Sequence, residues 1–343
     1  MLVKKRQSNI EFLRIIAITM VLMLHFNVHG LHQDVLSGVG TFTWSSLDGH
    51  LIESICICAV NVFVLISGYF TIKLSLRSII NLYIRCFIIG LVTYLAYILI
   101  VGEPLSITTL GGRLLAFTHN HWWFVISYLG LMAISPILNA GCEILGKKNY
   151  LYVLAMLSVA MIYFGWYKHL EMTYGGYSLI HFIFLYIIAR YIKLHVSEQT
   201  IDSYRWLWLG LYFAMVGVVI ALAYKVPQYA YTYDNPVVIA QAACLLLFFV
   251  SIPFQNRYVN WAAASVFSAY LLQESPYLGK MWLYPNFGEM IANGVLGGGA
   301  MLFAIFTIGT LIGAIMIDKF FVIPLLKISN RIYDKVLHHS TAV

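Results

Sequence analysis

The stretch EFLRIIAITMVLMLHF, residues 11–26, decides the fold class because it is apolar over nearly the length of a membrane-spanning helix. An α-helix rises about 1.5 Å per residue, so about 20 apolar residues cross the hydrocarbon layer of a bilayer. Two residues stand out within this stretch. Arg14 carries a permanent charge, and His25 titrates near neutral pH. Both are costly in lipid, which makes them candidates for a functional role.

The composition of the whole chain also indicates a membrane protein. Of its 343 residues, 61% are hydrophobic and 10% are charged, whereas a soluble chain has about 25% charged residues. The net charge of +7 does not predict a nucleic-acid partner, because no separate domain remains to carry a basic binding face. The five cysteines lie almost entirely in apolar runs without metal or redox spacing, so we expect small core residues.

The apolar runs predict an all-α polytopic membrane bundle, with about ten transmembrane helices in a single domain over residues 1–343. The longest connections, 29–50 and 102–121, lack the composition of a soluble core. The predicted spans are 10–28, 51–71, 79–101, 122–139, 150–167, 177–194, 205–224, 236–253, 260–278 and 290–316.

The distribution of Lys and Arg predicts that both termini lie in the cytoplasm. With the N-terminus inside, every Lys and Arg except Arg113, Lys168, Lys225 and Lys280 falls on the cytoplasmic side, and these residue types resist translocation. We therefore expect a multi-pass protein of a cell membrane, which in a bacterium is the cytoplasmic membrane. Residues 318–338 mix apolar side chains with Lys and Arg at helical spacing, which predicts an amphipathic helix on the inner surface.

Arg14 and His25 share one face of the first predicted helix. They are eleven residues apart, and eleven steps of about 100° return a side chain to within roughly 20° of its starting direction. Their separation along the helix axis is roughly 16 Å, which is about the reach of an extended phosphopantetheine arm. Arg14 would lie near the cytoplasmic surface and His25 in the outer half of the membrane.

Each of these two residues also has a purely structural explanation. Arg14 lies about one turn inside the membrane, so its guanidinium could reach the inner surface as an anchor. His25 could be a hydrogen-bonded interior histidine, since a buried polar group without a partner is costly. Their common face favours a shared function over coincidence.

The same residues carry a family resemblance. Residues 8–14, SNIEFLR, are followed after ten residues by His25, and the second span contains VNVFVLISGYF, residues 60–70. The fourth span contains HWWFVISYLGLMAISPILN, residues 121–139, and the ninth contains AYLLQESPY, residues 269–277. These segments resemble, in order, four motifs of the acyltransferase-3 family of integral membrane acyltransferases. Gln273 stands where that family commonly has His.

The resemblance implies both an activity and a set of roles. In that family a cytosolic acyl-CoA, most often acetyl-CoA, donates an acyl group to a hydroxyl, commonly of a cell-surface or lipid-linked glycan. By position, His25 would be the catalytic base and Arg14 a contact to the CoA phosphates. Arg77 and Arg85 are candidates for further CoA contacts, although seven residues separate them where the family has a closer spacing.

The chemistry of acyl transfer suggests a partner for His25. A base must remove the hydroxyl proton, and donors must stabilise the oxyanion. The second span runs antiparallel to the first, so Glu53 should lie at nearly the depth of His25 and could orient its imidazole. Glu274, in the outer part of the ninth span, is the competing partner and a candidate acceptor contact. Each glutamate could instead face the outer interface.

Other polar and small residues complete the predicted site. Ser67 and Gly68 lie near the inner end of the second span, where they could meet the CoA or allow close helix packing. The tryptophans of the fourth span could stack on sugars or form the interfacial aromatic belt. The candidate acceptor contacts are Asn61, Trp122, Trp123 and Gln273.

The same residues give less support to other functions. His25, His29 and His32 follow a helical pattern, but no carboxylate or Cys accompanies them at ligand spacing, so no metal is expected. A flippase or polymerase-like carrier of lipid-linked saccharides, or a membrane sensor, is the alternative class. Such a carrier would not need an Arg and a His on one helix face at the spacing that suits an acyl-CoA. The expected partners are acyl-CoA, a glycan or lipid-linked saccharide, and membrane lipid.

Overall fold

The structure, a computed structural model, describes residues 6–31, 47–112, 114–119, 122–171, 173–295 and 299–340, and each regular element in these ranges is a helix. The first nine α-helices are α1 (Ser8–His25), α2 (Leu47–Cys56), α3 (Ala59–Phe70), α4 (Leu76–Val101), α5 (Ile107–Gly112), α6 (Ala116–His119), α7 (Trp123–Ile144), α8 (Lys147–Ser158) and α9 (Leu179–His195). The others are α10 (Glu198–Ser203), α11 (Arg205–Lys225), α12 (Pro227–Ala230), α13 (Pro236–Val250), α14 (Arg257–Ala263), α15 (Phe267–Gln273), α16 (Tyr284–Ala292), α17 (Ala300–Ile317) and α18 (Ile323–Ser340). The predicted all-α class is confirmed.

Seven helical segments of the described ranges are long and apolar enough to cross a membrane. Within the same ranges, four π-helical segments extend or connect the α-helices, which makes several spans longer than one α-helix. The π segments are Phe26–Gly30, Val159–Tyr167, Pro276–Leu283 and Asp318–Val322. The candidate spans are Ser8–Gly30, Gly49–Phe70, Leu76–Val101, Trp123–Ile144, Lys147–Tyr167, Arg205–Lys225 and Ala300–Val336. The chain is therefore a polytopic helical membrane protein.

Four of the ten predicted spans differ from a full-length helix. In the tenth, 290–316, α16 ends at Ala292 and α17 begins at Ala300. The sixth and eighth correspond to α9, with 17 residues, and α13, with 15 residues. The expectation of one continuous helix over 260–278 is wrong, because α14 ends at Ala263 and α15 ends at Gln273. Pro276 explains the second interruption, since proline has no N–H to donate and its ring clashes with the preceding turn.

The chain divides into two compact units, and α7 contributes residues to both. The first unit contains Met1–Lys73 and Ser127–Ala263. Within it, α3 packs on α9 and α11 on α13, while α1 contacts α2, α3, α13 and α14. Fully buried side chains of this core include Leu13, Leu22, Leu65, Phe182 and Tyr186.

The second unit contains Leu74–Ile126 and Ala264–Val343. Its long helix α4 packs against α15, α18 and the π segments, and α15 and α16 pack against α17. Local signals set the bounds of α4. The Ser75 hydroxyl accepts a hydrogen bond from the N–H of Ser78 at the start, and Gly102 takes a left-handed conformation, with φ of 78°, after the end.

Candidate active site

Arg14 and His25 lie on one unbroken α-helix. Because α1 runs from Ser8 to His25, their spacing places both side chains on one face, about 16 Å apart along the axis. Both residues are partly buried. The helical geometry on which the sequence interpretation depends is therefore present.

Arg14 is accompanied by a carboxylate from its own helix. Nη1 of Arg14 lies 2.9 Å from Oε1 of Glu11, in an ion pair. The Glu11 side chain is 8% exposed and that of Arg14 is 37% exposed, so the guanidinium retains the greater access to solvent. A guanidinium has five N–H donors, and one bond to Glu11 leaves donors for a further anion. The sequence analysis missed Glu11, although its spacing from Arg14 is typical of helical ion pairs.

A π-helical segment, Phe26–Gly30, begins directly after His25. The N–H of Leu31 bonds the carbonyl of Phe26, five residues earlier, whereas α-helical bonds join residues four apart. The hydrogen-bonding register therefore changes in this segment. Short π segments within α-helices are uncommon and are frequent at functional sites. This change of register was not predicted from the sequence.

The π segment also determines the position of His29. Its ring centroid lies 5.7 Å from that of His25. The third histidine of the series, His32, lies outside the described residues. In the part of the chain that is described, no group of three or more His, Cys, Asp or Glu residues is arranged to hold a metal ion.

Glu53 is buried on α2 and has an amide partner that the sequence analysis missed. Nδ2 of Asn27 donates to Oε2 of Glu53 at 3.0 Å and to the carbonyl of Gly49 at 3.2 Å. Asn27 is fully buried and Glu53 is 4% exposed. The amide therefore stabilises a carboxylate that burial penalises. The direct pairing of Glu53 with His25 stays a prediction.

A cluster of polar groups continues along α2. The Tyr231 hydroxyl lies 2.9 Å from Nδ1 of His50 and 3.4 Å from the hydroxyl of Ser54. Nε2 of Gln241 donates to the carbonyl of Ser54 at 2.9 Å. Burial raises the pKa of Tyr231, so its phenol stays neutral and can donate a hydrogen bond. These contacts make the part of α2 from His50 to Ser54 polar.

Ser67 and Gly68 lie where α3 packs against other helices. The Ser67 hydroxyl donates to the carbonyl of Phe63 at 2.9 Å. A Cβ atom on Gly68 would lie 2.7 Å from the carbonyl oxygen of Tyr186 and 2.8 Å from Cβ of Ala189. Only glycine permits this approach of α3 to α9. The packing explanation for Gly68 is therefore seen directly, and its contact with CoA stays a prediction.

Asn61 is enclosed within the first unit. Its Nδ2 donates to the carbonyl of Tyr233 at 2.8 Å, and its Oδ1 lies 3.0 Å from Nε2 of His181. Both Asn61 and His181 are fully buried. These bonds join α3 to α9 and to the segment before α13. A role for Asn61 in acceptor binding would require the exchange of these partners.

Arg85 forms a buried ion pair in the second unit. Its guanidinium pairs with Asp318 and donates to Oγ of Ser268 at 2.8 Å, and Ser268 donates to Asp318 at 2.6 Å. The Asp318 side chain is fully buried and that of Arg85 is 15% exposed. The three residues join α4, α15 and the π segment after α17. The structure thus gives Arg85 a structural partner that the sequence analysis missed.

Arg77 also has a carboxylate partner. Its guanidinium pairs with Asp334 of α18 and lies 5.1 Å above the centre of the Tyr333 ring. The side chains of Arg77 and Asp334 are 42% and 50% exposed, so solvent screens this pair. The contacts of Arg77 and Arg85 with CoA stay predictions.

Glu274 and Gln273 lie at the break between α15 and the next π segment. Oε1 of Glu274 accepts a hydrogen bond from the Tyr284 hydroxyl at 2.5 Å, and Oε2 lies 3.2 Å from Nζ of Lys280. Burial, with the Glu274 carboxylate nearby, raises the pKa of Tyr284. Gln273 is fully buried, and its carbonyl lies against Gly279, where a Cβ atom would overlap it.

The two tryptophans of the fourth predicted span differ in exposure. Trp122 is 2% exposed, and its indole N–H has no hydrogen-bond partner among the described residues. Trp123 is partly exposed. A buried indole does not present its face to a glycan, so Trp123 is the better candidate for stacking on a sugar.

A cavity of about 460 Å³ lies in the first unit, beside the N-terminal end of α1. Asn9 lines it and lies five residues before Arg14, which is about 140° around the helix. Neither Arg14 nor His25 is among the residues that line the cavity. Its lining also includes Gln7, Tyr69, Phe70, Lys193, Glu198 and Asp202.

The predicted site residues are divided between the two units. The first unit contains Arg14, His25, Glu53, Asn61, Ser67 and Gly68. The second unit contains Arg77, Arg85, Trp122, Trp123, Gln273 and Glu274.

Comparison with known families identifies the class of protein. The acyltransferase-3 family, described as an acyltransferase domain, matches residues 7–319. The chain belongs to this family and is a membrane acyltransferase. Comparisons with curated proteins and with solved structures found no match.

Proposed function

We propose that this protein moves an acyl group, most simply acetyl, from cytosolic acyl-CoA to a hydroxyl of a cell-surface or lipid-linked glycan. The observation that carries this proposal is the placement of Arg14 and His25 on one face of α1, about 16 Å apart. A cation and a base at this distance suit a donor with phosphates at one end and a thioester at the other. Membership of the family supports acyl transfer itself.

His25 acts in this proposal as general base and then as general acid. Its imidazole takes the proton of the acceptor hydroxyl while the hydroxyl oxygen attacks the thioester carbonyl carbon. The carbon–sulfur bond then breaks, and the imidazolium returns the proton to the CoA thiolate. A carboxylate orients such a histidine in hydrolase triads, and Glu53 is our candidate because it is buried on a helix that packs against α1.

Arg14 binds the donor phosphates in this proposal. Phosphate oxygens and guanidinium donors form strong charge-assisted hydrogen bonds, and Arg14 keeps partial exposure beside Glu11. Arg77 and Arg85 remain candidates for further phosphate contacts, and each would first have to leave the carboxylate that it pairs with. Ser67 and Gly68 remain candidates for contacts at the inner end of α3.

Polar and aromatic side chains are the candidates for acceptor contacts in this proposal. Glu274 can accept a hydrogen bond from a sugar hydroxyl, and Trp123 can stack on a sugar face. Gln273 and Asn61 are further candidates, although both are fully buried.

Two measurements test the proposed function. Acetyl-CoA should raise the thermal unfolding midpoint of the purified protein, because a ligand that binds only the folded state stabilises it. A lipid-linked saccharide alone should not raise the unfolding midpoint in the same way.

Cell-surface glycans made with this chain should carry additional acetyl groups by mass analysis, compared with glycans made with a His25→Ala variant. Stabilisation by the saccharide but not by acetyl-CoA, with unmodified glycans, would support a carrier instead.

A further inference from the structure

The last long helical segment exposes large apolar side chains both on its membrane-spanning part, α17, and on the following helix, α18. On α17, large apolar side chains are exposed every three or four residues, at Met301, Ile305, Ile308, Ile312 and Met316. The same spacing recurs on α18 at Leu325, Ile328, Ile332 and Val336, which are 46–64% exposed. The 18 residues of α17 are about 27 Å long and nearly cross the hydrocarbon layer. The stripe of α18 therefore extends toward the headgroups.

A basic stripe lies beside the apolar stripe of α18. Lys327, Arg331 and Lys335 recur every four residues, and all three are exposed. At about 100° per residue, Lys335 is displaced by only about 20° from the direction of Ile328. A helix with adjacent apolar and basic faces suits an interface between hydrocarbon and anionic headgroups.

The rotation of α18 is set by its contacts with α4. The guanidinium of Arg77 pairs with Asp334 and covers the ring of Tyr333. At about 100° per residue, the Asp334 side chain is displaced by about 160° around the helix from that of Ile332 and by about 160° from that of Val336. The protein-facing side of α18 is therefore turned away from its apolar stripe.

We propose that α18 docks on the inner leaflet of the membrane and selects anionic phospholipids. Two observations favour this partner: α18 follows a membrane-spanning helix without a break, and the neighbouring cations complement phosphate-bearing headgroups. Leu325, Ile328, Ile332 and Val336 enter the interface, while Lys327, Arg331 and Lys335 attract the lipid phosphates. The proposal is independent of the acyl-transfer chemistry.

Site-specific fluorescence quenching tests this surface in the full-length protein. An Ile332→Cys variant is labelled with an environment-sensitive fluorophore and placed in phosphatidylcholine nanodiscs that contain some phosphatidylglycerol. In one sample the nitroxide quencher is attached to phosphatidylglycerol, and in the other sample it is attached to phosphatidylcholine at the same concentration. The parent chain, labelled in parallel, corrects for the five native cysteines, which are all buried.

We expect quenching by nitroxide-phosphatidylglycerol to be at least about twofold stronger than by nitroxide-phosphatidylcholine, because several cations attract anionic lipid. A Lys327→Gln/Arg331→Gln/Lys335→Gln variant should lose this preference. The matched control, Lys73→Gln/Lys147→Gln/Lys148→Gln, removes three exposed cations on the same predicted side and should keep it. Equal quenching by the two lipids would overturn the proposal. An equal loss of the phosphatidylglycerol preference in both triple variants would also overturn it, as would quenching by aqueous iodide without quenching by either lipid.

Discussion

The side-chain amide of Asn27 donates a hydrogen bond of 3.0 Å to the carboxylate of Glu53, and both residues are buried. The bond joins the π-helical segment that follows His25 to the helix that carries the proposed carboxylate. The amide therefore limits where the Glu53 side chain can lie, close in sequence to the proposed base.

Replacement of Asn27 should affect stability and transfer together. Asn27→Ala leaves the Glu53 carboxylate buried without this donor, so we expect a loss of about 1–3 kcal/mol in the free energy of unfolding and slower transfer. Thermal unfolding and acetyl-transfer rates measure the two effects. In an Asn27→Ala/Glu53→Gln variant the stability losses should be less than additive, because the two side chains interact directly. Fully additive losses would contradict the coupling.

Loss of the His25 imidazole should greatly reduce turnover without loss of the fold. General bases commonly contribute a factor of about 100 or more to the rate, so His25→Ala should lower the transfer rate at least that far at saturating acyl-CoA. The matched control is His29→Ala, which removes the neighbouring ring but not the proposed base. Comparable rates for the parent and His25→Ala proteins would rule out the assigned role.

Replacement of Arg14 should weaken donor binding more than it slows the chemical step. Arg14→Ala removes a charge-assisted contact to phosphate, and we expect the KM for acyl-CoA to rise by about tenfold or more. Glu11→Gln is the control, because it frees the guanidinium from its ion pair and should leave KM unchanged or lower. Steady-state kinetics at varied acyl-CoA concentration make the comparison. An unaltered KM in Arg14→Ala would count against the phosphate contact.

The ion pair of Arg85 and Asp318 should contribute to stability. Asp318→Asn leaves a largely buried guanidinium without its charged partner, so we expect a loss of about 3–5 kcal/mol. Arg85→Met/Asp318→Leu removes both charges and should recover much of that loss. The KM of this double variant for acyl-CoA then separates the two roles of Arg85. An unchanged KM indicates a structural role alone, and a large increase supports the proposed phosphate contact.

The approach of α3 to α9 at Gly68 should tolerate no additional atoms. Gly68→Ala places a Cβ atom 2.7 Å from the Tyr186 carbonyl oxygen, so we expect a loss of about 1–3 kcal/mol in stability from overpacking. Gly217→Ala on α11 is the control, because no atom lies within 4 Å of a Cβ built there. Thermal unfolding midpoints compare the two variants. Equal midpoints would show that α9 can move away at little cost.

Local sequence was sufficient to predict the helical class and the common face of Arg14 and His25. Lipid requires each backbone N–H and C=O to bond within the chain, so long apolar runs become helices. Within a helix, the direction of a side chain depends only on the number of residues between two positions. The spacing of eleven residues therefore places Arg14 and His25 on one helix face, whatever surrounds the helix.

Tertiary packing decided which groups these side chains meet. Asp318 is distant in sequence from Arg85, and Asn27 is separated from Glu53 by the connection between two helices, so no periodic pattern reports either pair. The close contact of Gly68 with α9 is likewise a property of two helices together. Such partners depend on how whole helices pack, and the free energy of that packing is a sum over contacts far apart in the chain. The length of an apolar run does not contain this information, and the pairing of buried charges is therefore visible only in the folded protein.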